Sequence, residues 1–133
     1  MKRSKWLSGE CYAFTEALAG LTGWDKAALV TGILKNDQGD VLASALIHGV
    51  LVHPGGGYVD ASGRVTAENL CERYCVDAVE FSPTSISSLR GVGGYNGQEV
   101  RQAKIAIYSY AKTQDPFFSK LNMKSLPISR TSR

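Results

Sequence analysis

Two runs rich in strand-forming residues, AALVTGILKN (27–36) and VLASALIHGVLVH (41–53), are joined by little more than the turn cluster NDQGD. So short a link between two such runs closes as an antiparallel hairpin, because a parallel crossover needs a dozen or more residues. That hairpin commits the chain to a sheet of sequential neighbours. YVDAS (58–62) adds a third, short strand after a glycine turn, and DAVEFS (77–82) a fourth. Helical patterns surround them. SGECYAFTEALAGL (8–21) carries Ala13, Ala17, Leu18 and Leu21 at helical spacing, with Ser8 as N-cap and Glu10 in the first turn. TAENLCERYCV (66–76) starts at Thr66, and QEVRQAKIAIYSYAKT (98–113) turns Val100, Ala103, Ile107 and either Tyr110 or Ala111 inward. The segment SPTSISSLRGVGGYNG (82–97) reads as a loop, long enough to act as a lid. The expected class is α+β: an N-terminal helix carrying a cysteine, packed on a small antiparallel sheet.

With 133 residues, 44% of them hydrophobic, the chain has the size and composition of one folded domain. Residues 1–120 are expected to form it, with 121–133 a basic, loose tail. Much of the positive charge lies in MKRSK and KSLPISRTSR at the two ends, and the part between them is acidic on balance. A basic groove for nucleic acid is a poor fit to that distribution, so no nucleic-acid partner is expected. No apolar run resembles a signal peptide or approaches a membrane span, which points to a cytoplasmic protein without a membrane partner. Three cysteines, Cys11, Cys71 and Cys75, are an odd number and are read as free thiols. Cys71 and Cys75 share a helical face without a matching Cys/His pair, which favours core packing over a metal site.

The chemistry lies in the order of three residues. Cys11 falls in the first turn of the first helix, where unpaired backbone N–H groups stabilise a thiolate or hold an oxyanion. A thiol nucleophile needs an imidazole, and the imidazole needs a partner that orients it. His48 and Asp60 follow on two neighbouring strands.

GECYAF opening a helix, HGVLV opening a strand and GGYVDASG closing the next strand together resemble the papain-like and transglutaminase-like cysteine hydrolases. The likeness covers roughly Ser8 to Gly63. It implies Cys11 as nucleophile, His48 as general base and then acid, and Asp60 as the residue that orients the ring. It implies attack on an amide or thioester carbonyl by a peptidase, deamidase or acyltransferase, with a protein or peptide substrate. No metal or organic cofactor is needed. A domain this compact suggests a phage or bacterial protein. No Gln or Asn precedes Cys11, so an oxyanion hole must use backbone N–H groups or other side chains. Ser8, Gly9, Tyr12 and Ser62 are the candidates near the oxyanion or substrate.

Strand parity sets a condition on this reading. His48 should share a face with Leu46, Val50 and Val52, leaving His53 on the other as a solvated turn residue. A two-residue Gly55–Gly56 turn would put His48 and Asp60 on opposite faces. A three-residue Pro54–Gly55–Gly56 loop would set Ser62 opposite His48, with Asp60 its diagonal neighbour. Plainer readings stand beside the triad: Cys11 as a small buried hydrophobe, His48 as a hydrogen-bonded core histidine, Asp60 as a turn residue. The matching alternative function is a non-catalytic interaction module that keeps the fold.

Overall fold

The 36–40 turn closes as expected. In the computed structural model, which describes residues 3–123, β1 (Lys26–Lys35) and β2 (Val41–Val52) form an antiparallel hairpin. β3 (Tyr58–Asp60) pairs with the end of β2, β4 (Gly63–Val65) folds back on β3, and β5 (Ala78–Ser85) lies antiparallel along β1. The sheet order is β4-β3-β2-β1-β5. Its helices are α1 (Cys11–Thr22), α2 (Ala67–Tyr74), α3 (Leu89–Gly93) and α4 (Gly97–Lys112). The chain is thus α+β, with an N-terminal helix on a five-stranded antiparallel sheet.

The two faces of the sheet are covered differently. Ala27, Leu29, Leu51, Val59 and Ala61 pack with α1 and α4 in the larger core, around Phe14, Leu18, Ala103 and Ile107. Ala28, Val30, Val50 and Val65 pack with Leu70 of α2 in a smaller one. Thr66 caps α2 and Asn96 caps α4, each through a reciprocal capping box with the residue three positions on. One tyrosine wedges the start of α1 between the sheet and α3. The ring of Tyr12 lies so close to Gly49 that a Cβ there would come within 2.6 Å of it, and Gly93 of α3 presses on the same ring.

Several sequence expectations need correction. Ser8 does not cap α1: a 3-10 turn over Ser4–Leu7 draws its hydroxyl back onto the Ser4 carbonyl, and the helix begins at Cys11. Glu10 is therefore the residue before the helix, and its side chain makes no cap bond. β4 was unforeseen, being only three residues long. β5 continues through Pro83 because it is an edge strand, where a missing N–H costs no ladder bond. The 82–97 segment is not one loop. It holds the end of β5, a 3-10 turn (Ile86–Ser88) and α3, anchored by the buried Leu89. Cys71 and Cys75 are not core: Cys71 is half-buried, and Cys75 is an exposed αL cap residue with φ 57°. After α4 the chain stays on the core, with Phe118 buried and Leu121 and Met123 packed against it. The rest of the expected tail, 124–133, lies outside the described residues.

Candidate active site

The turn after β2 decides what β2 and β3 can offer each other. His53 N–H donates to Gly57 O at 3.0 Å, and Leu51 pairs with Val59 and Val52 with Tyr58. The loop is Pro54–Gly55–Gly56, three residues long. Gly56 and Gly57 take φ of 103° and 85°, which only glycine adopts without strain. This register brings His48 and Asp60 to the α2 face. Leu46, by contrast, does not share that face. Val30 pairs with His48 but Thr31 with Leu46, so Ile47 is an extra residue, and the alternation reverses across this bulge.

His48 and Asp60 are both buried, at 0% and 2% exposure, and His48 Nε2 lies 2.8 Å from Asp60 Oδ2. Arg73 of α2 donates through Nη1 to the same oxygen at 2.7 Å. Oδ1 accepts from the Ser62 amide at 2.8 Å and from its hydroxyl at 2.6 Å. Burial alone would raise the Asp60 carboxyl, but the hydrogen bonds from His48, Ser62 and Arg73 outweigh it and hold it down at about 2. The carboxylate is thus ionised at neutral pH. It can only accept, so Nε2 carries a proton. In the neutral ring Nδ1 then holds the lone pair. Nδ1 is buried and has no hydrogen-bond partner among the described residues. The Tyr74 ring packs beside the imidazole, centroid to centroid 5.3 Å, and its hydroxyl donates to the Leu7 carbonyl just ahead of α1.

That last bond brings the α1 N-terminus to the site. In β2 the peptide groups of residues 49, 51 and 53 point toward β3. β3 ends at Asp60, so the polar groups of Gly49 are left without a strand partner. α1 supplies one. Thr15 Oγ1 lies 3.2 Å from Gly49 O and 2.9 Å from the Cys11 carbonyl and can give its one proton to either, and the Gly49 N–H faces the Cys11 sulfur. Cys11 therefore sits at the gap between β2 and β3, against the residue next to His48. No hydrogen bond links its sulfur to the His48 ring among the described residues. The thiol is 2% exposed. Burial pushes it up to about 11, against the opposing pull of the amides of Gly49, Cys11 and Tyr12. The resting thiol is accordingly neutral.

The flanking candidates separate on hydrogen-bond accounting. The single hydroxyl proton of Ser62 goes to Asp60 Oδ1 and that of Ser8 to Ser4 O, so neither hydroxyl is free to bind an oxyanion. Gly9 is exposed and has open space where a side chain would lie. The Tyr12 side chain is a wedge between β2 and α3; its contribution to the site is its amide, which faces the sulfur. His53 stands apart: its ring packs on Trp24 at 4.7 Å, and Nδ1 accepts from the Gly55 amide. Arg73 and Tyr74 were missed. An arginine and a tyrosine in the last turn of an amphipathic helix carry no sequence signal of a buried partner.

Among the described residues no three His, Cys, Asp or Glu side chains gather where they could hold a metal ion, and no helix is long and apolar enough to cross a membrane. No protein-family model matches the chain, and no curated protein or solved structure matches it significantly.

The thiol's environment predicts its reactivity. With its pKa near 11, Cys11 is about one part in a thousand thiolate at pH 8, against roughly a quarter for an unperturbed thiol. In His48→Ala, where no imidazole can take the thiol proton, peptide mapping after iodoacetamide treatment at pH 8 should find Cys11 labelled at least about 100-fold more slowly than the exposed Cys75. Equal rates would mean that the thiol is neither buried nor raised in solution.

Proposed function

We propose that this chain is a cysteine-dependent hydrolase or acyltransferase with a papain-like or transglutaminase-like core, acting on an amide or thioester carbonyl of a protein or peptide. One observation carries the reading: a buried histidine whose Nε2 is committed to an ionised carboxylate and whose Nδ1 has no partner among the described residues, in a strand whose next residue, Gly49, adjoins a helix-initial cysteine. Buried polar atoms are mostly hydrogen-bonded, so an unpartnered ring nitrogen next to this strand position is a candidate proton acceptor.

In the proposed reaction His48 Nδ1 takes the Cys11 thiol proton as the sulfur attacks the carbonyl carbon. The neutral resting thiol makes this a general-base step rather than the use of a preformed ion pair. The oxyanion is received by amides at the α1 start, that of Tyr12 first. His48 then returns its proton to the leaving amine or thiol, leaving an acyl group on Cys11. Water or an amine, deprotonated by the same Nδ1, releases it. Asp60 stays ionised throughout and stabilises the imidazolium.

The burial of Cys11 favours a second reading, a binding module that keeps the fold without the chemistry. Exposure to p-nitrophenyl acetate followed by intact mass separates the two. An acetyl group on Cys11, absent from Cys11→Ala, supports the enzyme. Acetylation only of lysines or of Cys75 supports the module. Incubation of wild type and Cys11→Ala with a candidate partner then reads cleavage, deamidation or crosslinking by mass.

A further inference from the structure

Asp60 is held more tightly than a histidine partner requires. An ionised carboxylate offers about four lone-pair directions, and here four donors fill them. Two are from Ser62, one from His48, and the fourth from Arg73. The Arg73 fork does more than add a donor. While Nη1 binds Asp60 Oδ2, Nη2 donates to Ser62 Oγ at 2.8 Å, and that hydroxyl gives its proton to Asp60 Oδ1. The three side chains close a ring: guanidinium to carboxylate, guanidinium to hydroxyl, hydroxyl to carboxylate. A planar fork spans two acceptors at fixed spacing, which a single ammonium does not.

We propose that Arg73 is a positioning residue for the reaction: by closing this ring it fixes the Asp60 carboxylate so that Oδ2 faces His48 Nε2, and so keeps Nδ1 as the basic nitrogen toward Cys11. The torsion that turns a carboxylate is broad and roughly two-fold, so the side chain has no intrinsic preference for this setting. Within the turn, Ser62 grips only Oδ1, through its amide and its hydroxyl. The hold on Oδ2 beside His48, and on the Ser62 hydroxyl itself, comes from outside the hairpin, and α2 brings it. Leu70 seats α2 in the core, the Tyr74 ring lies on His48, and Arg73 stands between them and the turn. Arg73 touches neither Cys11 nor a reacting atom, and its side chain is 24% exposed. The proposal rests on the triad reading above for its catalytic meaning, but its structural content is separable.

The test measures the ring and the reaction separately. Histidine-selective 15N labelling distinguishes the two tautomers of His48 at a pH where the ring is neutral. His53 serves as an internal control, since its Nδ1 accepts from Gly55 and its ring packs on Trp24. Wild type should show His48 in the Nε2–H form alone. Arg73→Gln should give a mixture at His48 with His53 unmoved, and acetylation of Cys11 by p-nitrophenyl acetate should fall about tenfold or more. Arg73→Lys should restore the Nε2–H tautomer and only part of the rate, because it grips Asp60 without Ser62. Should Arg73→Gln not fold, Ser62→Ala opens the same ring from the other side and should shift the tautomer in the same direction. A pure Nε2–H signal in Arg73→Gln, or in Ser62→Ala where that variant takes its place, overturns the proposal. A shifted tautomer in a protein whose wild type never acetylates Cys11 leaves Arg73 as the holder of the ring and refutes the hydrolase instead.

Discussion

Asp60→Ala should lower the unfolding free energy by about 3 kcal/mol or more, read from urea midpoints at pH 7. The substitution strips an acceptor from the His48 ring, from the Arg73 guanidinium and from the Ser62 amide and hydroxyl. His48 is wholly buried and its ring has no other partner among the described residues, so it bears most of the loss. Arg73 is part-exposed and recovers some of its hydration. The same carboxyl makes a pH-dependent contribution. Its folded pKa, about 2, is below the ordinary value of 3.8. Its contribution is therefore complete above pH ~4 and is lost as pH falls through the folded value, amounting to about 2 kcal/mol. Between pH 5 and about pH 2 the wild type should lose this increment and Asp60→Ala should not. If the alanine variant stays within about 1 kcal/mol of wild type at pH 7, the network does not hold the fold together.

How much of this was readable in advance follows from range. The β1–β2 hairpin, the three long helices and the Thr66 cap are local: turn residues and periodicity write them directly. The Pro54–Gly56 loop was a conditional expectation. Three consecutive glycines permit the one-residue shift, but only the ladder from His53 to Leu51 shows that the chain takes it. The Ile47 bulge was not readable, because the stretch around it alternates as a plain strand does. The bulge places Ile47 beside His48 on the α2 side and sends Leu46 away.

The site itself was half legible. Cys11, His48 and Asp60 stand out by residue type and order. What links them comes from residues that look ordinary in sequence. Gly49 reads as a weak point in a strand, yet its missing side chain admits the Tyr12 ring, and its free amide meets the Cys11 sulfur. Tyr74 reads as a helix residue, yet its hydroxyl fastens the chain before α1 next to His48. Arg73 reads as a solvated charge in a last turn. Each acts across a sequence separation that propensity cannot see. The expectation that failed most clearly, Ser8 as helix cap, failed for the same reason. A 3-10 turn anchored by the buried Trp6 claims the serine and moves the helix start to the cysteine. That shift puts Cys11 at the first helical position, nearer the free amides than a Ser8 cap would have left it.

His48→Ala should slow acetylation of Cys11 at pH 7.5 by about 100-fold to 1,000-fold, the usual range for loss of a positioned general base. The variant should remain folded, because Asp60 keeps Arg73 and Ser62 as partners when the ring is gone. The pH profile makes the argument specific. The wild-type thiol is neutral through the physiological range, so its reaction depends on Nδ1 accepting the proton within the site. Without the imidazole, only hydroxide can remove that proton. The variant's rate should then climb about tenfold per pH unit until the thiol ionises near 11. Over the same range the wild-type rate should rise far less, so the two curves converge at high pH. A simple packing defect would lower the curve by a similar factor at every pH and would not make the curves converge. Equal rates at pH 7.5, or a constant ratio across the range, would remove His48 from the reaction and leave the His48–Asp60–Arg73 network as a structural element of the α2 face.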